Sequence, residues 1–199
     1  MIGPSRHVLV RNNVVRNATS TSAGGNGYGV RVEQPGANNN WVHSNEITGD
    51  GPGADKGIRH GVILSWSADR NAVSNNTVRN TTWEGIDLHG LNEHRNEVRN
   101  NTVSDCAGGG IAIGNPGVAV KDDPSPNDSG PYNWVHHNEV SGCDTGISIE
   151  LLSHRQFIED NYLHNNKVGI GVYNQGALHL RLMRNRVQRN RIGVRLTAA

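Results

Sequence analysis

A tripeptide of Asn, any residue, then Val, Ile or Leu recurs along the chain, with copies beginning at Asn13, Asn45, Asn76, Asn101, Asn138, Asn161 and Asn185. Each copy is followed by a second pattern, Gly-apolar-x-apolar, beginning at Gly29, Gly61, Gly85, Gly110, Gly146, Gly169 and Gly193. The glycines are spaced by 32, 24, 25, 36, 23 and 24 residues, a base period near 24. Self-similarity at such a period marks a stacked architecture, in which one unit cannot bury its apolar face alone. Within each unit, apolar and polar residues alternate over three to five positions, the period of a strand with one buried face. Stacked rungs of such strands make a narrow continuous core. The sequence therefore predicts an all-β parallel β-helix of about seven rungs, roughly 34 Å long at about 4.8 Å per rung. One domain is expected over residues 1–199.

Composition supports this and excludes other classes. The chain holds 26 Asn and 25 Gly among 199 residues, and both are poor in helix interiors. Asn is expected at the corners, where it tolerates left-handed dihedrals, and stacked Asn side chains are expected to bond up the column. Net charge is +1, which excludes a whole-chain polycation. No apolar run is long enough to span a membrane, so no membrane partner is expected. No helical pattern precedes Val8, so no cap helix is evident, and the chain stops just after the strand near Leu196. Uncovered rung edges invite pairing. They predict either a fragment of a larger protein or ends covered in a homo-oligomer.

Stacking lets the rungs be aligned. The outward residue between the two apolar positions runs Arg31, Ile63, Asp87, Ala112, Ser148, Gly171, Arg195. The next outward column runs Glu33, Ser65, His89, Gly114, Glu150, Tyr173, Thr197. The residue before each glycine runs Tyr28, His60, Glu84, Gly109, Thr145, Val168, Ile192. Glu84, Asp87 and His89 thus share one rung, with Trp83 beside them and Arg59 and His60 one rung earlier. Small residues surround them, as on the floor of a cleft. Long turns at Asn17 to Tyr28, Gly49 to His60 and Gly114 to Tyr132 fit loops that carry binding.

The asparagine-rich rung resembles the right-handed parallel β-helix of the pectate-lyase-like superfamily over about Val8 to Leu196. That superfamily includes polysaccharide lyases, uronate epimerases, glycoside hydrolases, tailspikes and non-enzymatic periplasmic proteins. The segment Glu84-Gly85-Ile86-Asp87-Leu88-His89 resembles the catalytic strand of mannuronan C5-epimerases, Tyr-Gly-Phe-Asp-Pro-His. Gly85, Asp87 and His89 match, while Glu84 stands in place of the Tyr and Leu88 of the Pro. The resemblance implies an acidic polysaccharide as partner and a periplasmic or extracellular location.

Proton abstraction from a uronate needs a base, a cation for the carboxylate and an acid. The candidate catalytic residues are Asp87, His89, His60, Arg59 and Glu84: His60 or His89 as base, Arg59 as a carboxylate fork. Trp83, Glu150, Tyr28, Tyr173 and Arg31 are candidate substrate contacts, with Tyr28 or Tyr173 as phenolic acid. Two rivals are carried: a glycoside hydrolase pairing Glu84 with Asp87 or Asp87 with Glu150, and a non-enzymatic structural or glycan-binding module. No cofactor is required. Asp122, Asp123 and Asp128 offer oxygen donors suited to Ca²⁺, although the spacing matches no standard loop and a solvated turn is favoured. Cys106 and Cys143 are expected on adjacent rungs, at a separation that permits a disulfide, with a reduced, buried stack favoured. The arginines from Arg181 to Arg195 suit an acidic glycan or a blunted edge better than nucleic acid, which lacks aromatic platforms there.

Overall fold

The computed structural model describes residues 5–18, 27–51, 57–90, 92–114, 130–150, 153–173 and 179–197. They form three sheets of seven strands, each ordered by rung. The first sheet holds Leu9–Arg11, Trp41–His43, Ala72–Ser74, Glu97–Arg99, Trp134–His136, Phe157–Glu159 and Arg181–Met183. The second holds Val14–Arg16, Glu46–Thr48, Thr77–Arg79, Thr102–Ser104, Glu139–Ser141, Tyr162–His164 and Arg186–Gln188. The third holds Gly27–Glu33, Ile58–Ser65, Ile86–His89, Gly109–Ile113, Thr145–Glu150, Val168–Tyr173 and Ile192–Thr197. Neighbouring strands pair in parallel in every sheet, with Ile63 opposite Asp87, Asp87 opposite Ala112 and Ser148 opposite Gly171. The chain is the expected parallel β-helix of seven rungs, and no helix occurs among the described residues.

Its core is a stack of inward columns. Ile86, Leu88, Ile111, Ile113, Ile147 and Ile149 are fully buried on the third sheet, facing Val73, Val98 and Val135 of the first and Val78, Val103 and Val140 of the second. Each such side chain contributes about 1.5–3 kcal/mol by leaving water. Val194 and Leu196, with a rung on one side only, are 51% and 73% exposed.

The repeat glycine is required by close packing rather than by backbone conformation. A Cβ on Gly85 would lie 2.4 Å from Cγ1 of Val103 and 2.6 Å from the Gly110 carbonyl. Thus the two halves of the repeat meet in space: the Val of the tripeptide occupies the volume that the glycine leaves.

The repeat asparagines form a buried ladder between the first two sheets. Oδ1 of Asn101 accepts the backbone N–H (2.9 Å) and side-chain N–H (3.0 Å) of Asn76. Nδ2 of Asn101 donates to the Val73 carbonyl and to Oδ1 of Asn138, both at 2.9 Å. A second ladder runs Asn40, Asn71, Asn96, Asn133 and ends on Oε1 of Gln156. The left-handed corner is a different residue from the ladder Asn. It is the one before it: Asn12, Ser44, Asn75, Asn100, His137, Asp160 and Arg184, with φ between 52° and 58°. Four of these seven are not Asn, yet Asn does serve left-handed corners as expected, at Asn12, Asn17, Asn39, Asn75, Asn80, Asn92, Asn100 and Asn165, with φ between 53° and 64°. Cys106 and Cys143 are free and buried, and each thiol donates to the carbonyl two residues earlier. Asn166 continues their column, its Oδ1 accepting the Cys143 N–H at 2.9 Å.

Candidate functional site

Strand alternation turns Tyr28, His60, Asp87 and His89 to the outer face of the third sheet, and rung stacking brings them together. Nδ1 of His60 lies 3.1 Å from Oε2 of Glu84 and 3.1 Å from Oδ2 of Asp87. Nδ1 of His89 lies 3.2 Å from the same Asp87 oxygen. His60, Glu84 and Asp87 are 3%, 5% and 1% exposed, although each belongs to the outer face. The nitrogen and the two carboxylate oxygens all lie within 4.8 Å of one another, an arrangement able to hold a cation.

Aromatic rings and arginines flank this cluster. Tyr28 stacks on His60 with ring centroids 5.6 Å apart and planes 9° from parallel. Arg31 reaches over the Tyr28 ring at 4.9 Å and pairs with Glu33. Trp83, 40% exposed, lies 6.2 Å from the His60 ring and carries the Arg59 guanidinium on its face at 3.5 Å. Arg59 therefore packs on Trp83, and its place in the site is next to an exposed indole.

Glycines keep the floor beside the carboxylates low. A Cβ on Gly108 would stand 2.8 Å from Oε1 of Glu84, and one on Gly109 2.8 Å from Oγ of Ser148. Glu150 pairs in register with Tyr173 on the next rung. The Tyr173 ring folds back over Gly171, where a Cβ would meet it at 2.3 Å, and its hydroxyl bonds Oγ1 of Thr145 at 2.9 Å.

The electrostatics follow from burial set against these partners. Burial alone would lower the His60 pKa, but Asp87 and Glu84 outweigh it and hold the ring at about 9. Burial likewise opposes the shift of His89, which Asp87 raises. Asp87 is lowered: burial would raise it, and the two histidines prevail. Glu84 is raised by burial, partly offset by His60. Burial, then the charge of Glu84, pushes Glu150 to about 7. These shifts favour the cationic form of His60, the ionised form of Asp87 and the protonated form of Glu150 relative to their ordinary values.

The sequence reading missed Glu93. It is fully buried, accepts the Ser67 N–H on Oε1 at 3.1 Å, and is pushed by burial to about 8. It sits in the turn after the His89 strand, where no repeat position flags it. Asp122, Asp123 and Asp128, the expected Ca²⁺ donors, lie outside the described residues.

A family described as "Right handed beta helix region" matches residues 1–123. The chain belongs to the right-handed β-helix family. Among solved structures it is similar to the periplasmic alginate epimerase AlgG, at 13% identity and a TM-score of 0.64, covering 89% of this chain and 39% of that one. The T265N mutant of AlgG aligns at 12% identity and a TM-score of 0.59, covering 92% and 40%. An alginate lyase from Paenibacillus sp. str. FPU-7 aligns at 10% identity and a TM-score of 0.47, covering 88% and 77%. At these identities the likeness to AlgG is one of fold, and the chain spans about two fifths of the length of the AlgG structures. No curated protein matches the chain.

Proposed function

We propose that this β-helix acts on an acidic, uronate-containing polysaccharide by abstracting the proton beside the uronate carboxylate, as a lyase or a C5-epimerase. The observation that carries the reading is the Asp87–His89 pair: a buried carboxylate 3.2 Å from Nδ1 of a ring that is 29% exposed at its side chain. The Asp87 charge beside Nδ1 favours a proton on that nitrogen and leaves Nε2 to work as the base. His60, bracketed by Glu84 and Asp87, is held protonated and suits charge stabilisation rather than proton uptake. Glu150, at about 7, is a proton donor in the same face.

In this account Nε2 of His89 takes the C5 proton, and the electron pair moves into the carboxylate as an enolate. Returning a proton to the opposite face inverts C5. Alternatively the pair forms a C4–C5 double bond, the C4–O bond breaks, and the leaving oxygen takes a proton. Trp83 offers an exposed ring on which a sugar stacks. The fold neighbour AlgG, a periplasmic alginate epimerase, supports a polyuronate substrate and a periplasmic or extracellular location.

Hydrolysis by Glu84 and Asp87 fits less well. Their nearest oxygens lie within 4.8 Å and both contact His60, so no glycosidic bond fits between them. The test is a panel of alginate, pectate, glycosaminoglycans and neutral glycans, following near-ultraviolet absorbance and reducing ends together. Rising absorbance on an acidic polymer supports elimination. Reducing ends without absorbance contradict the proton-abstraction reading and favour a hydrolase.

A further inference from the structure

We propose that His60, Glu84 and Asp87 form a binding site for one divalent first-row transition-metal ion, with its open positions facing the outer surface of the sheet. The donors are Nδ1 of His60, which gives up its proton as the ion binds, Oε2 of Glu84 and Oδ2 of Asp87. They come from two adjacent rungs, so the backbone ladder fixes their spacing without a loop.

The first observation is the spacing. Two donors each about 2.1 Å from one ion stand about 3.0–3.4 Å apart at angles between 90° and tetrahedral. Nδ1 of His60 is 3.1 Å from each oxygen. The two oxygens, within 4.8 Å of each other, need only a carboxylate rotation to complete the set.

The second, independent observation is unmet polarity. Asp87 is 1% exposed, yet neither of its oxygens makes an aligned hydrogen bond, and neither does Nδ1 of His60 at 3%. The contacts have the distance of hydrogen bonds without the direction. Buried polar atoms are almost always satisfied, and a buried carboxylate left so is costly. An ion between the three donors meets Oδ2 of Asp87 and Nδ1 of His60 at once. His89, 3.2 Å from Asp87, and Tyr28, stacked on His60, would orient the donors from outside.

One imidazole nitrogen with two carboxylate oxygens suits Zn²⁺ or Mn²⁺. Ca²⁺ takes six to eight oxygens, more than this set offers. Three protein donors leave positions open, and a uronate carboxylate is the ligand that fits them beside His89. That last step alone rests on the function proposed above; the metal site does not.

The test uses the full chain stripped with chelator. Calorimetric titration with ZnCl₂, MnCl₂ and CaCl₂ is compared among the wild type, Glu84→Gln and His60→Gln. The expected result is one equivalent of Zn²⁺ or Mn²⁺, bound at least tenfold tighter than Ca²⁺ and weakened at least tenfold in both variants. No saturable single equivalent, equal affinity for Ca²⁺, or binding kept within tenfold by either variant overturns the site. Should a variant lose its far-ultraviolet circular dichroism, Mn²⁺ broadening of the His60 ring resonance in the wild type decides: selective loss at one equivalent supports the site, and persistence overturns it. A chain that binds metal but leaves every polymer untouched keeps this site and loses the polysaccharide reading. Polymer chemistry indifferent to metal, in a chain that binds none, does the reverse.

Discussion

Nδ1 of His89 stands 3.2 Å from Oδ2 of Asp87, two residues earlier on the same outward face of one strand. The spacing is set by the two-residue period of a strand, and the carboxylate end is buried while the ring end is not. Asp87→Asn removes the charge that holds the ring. On a polyuronate, turnover is expected to fall about 100-fold or more, the range for loss of an oriented general base. Because Asp87 raises the His89 pKa, the rising limb of the pH–rate profile should move to lower pH in the variant. An unchanged profile would argue that His89 is not the base.

Stability should fall as pH rises. Glu93 is raised to about 8 by burial and His60 to about 9 by its carboxylates, against burial. A raised pKa means that the folded state binds more protons, so both contributions are present at low pH and lost on the way up. For Glu93 the window runs from its ordinary value near 4.5 through about 8, and for His60 from 6.5 through about 9. Thermal unfolding of the wild type should give a higher Tm at pH 6 than at pH 9. Glu93→Gln, which keeps the acceptor for the Ser67 N–H, should flatten the curve by a few kcal/mol across its window. A variant curve parallel to wild type would contradict the buried-acid account.

Adjacent asparagines should respond differently to replacement. Asn100 takes the left-handed corner at φ 53° and is exposed, whereas Asn101 is buried in the ladder. Asn100→Gly is expected to change stability by less than about 0.5 kcal/mol, since Gly tolerates that dihedral. Asn101→Ala leaves the buried N–H groups of Asn76 and the Val73 carbonyl without their partner and should cost about 3 kcal/mol or more. Chemical denaturation of the two variants measures both.

Gly85→Ala should destabilise by about 1–3 kcal/mol through overpacking against Val103 and the Gly110 carbonyl. Val103→Ala in the same chain should restore only part of the loss, because the carbonyl cannot move aside. Gly109→Ala meets the Ser148 hydroxyl at 2.8 Å, which a rotation relieves, and Ala112 Cβ at an ordinary 3.4 Å, so it should be the milder change.

The fold was legible because its signals are local and repeated. Each Gly-apolar-x-apolar copy anchors a register, and the alignment of Arg31, Ile63, Asp87, Ala112 and Ser148 read from the sequence is the pairing of the third sheet. The same alignment brings His60, Asp87 and His89 to one face, because column neighbours follow from register alone. What the alignment could not give is direction at the corners. Arg59 turns onto Trp83, and Glu93 returns to the core from a turn with no repeat position. Nor does a column say how deep an outward residue lies: Asp87 is an outer-face residue that the neighbouring side chains almost wholly cover.

Proton abstraction from a uronate is proposed at the Asp87–His89 pair. The most direct measurement is proton NMR of alginate, pectate and a glycosaminoglycan incubated in D₂O with the wild type and with His89→Gln. The account predicts that one polymer either loses its H5 signal to deuterium or gains a vinyl proton, and that His89→Gln does neither. Unchanged spectra for all three polymers, or the same change with His89→Gln, would contradict it.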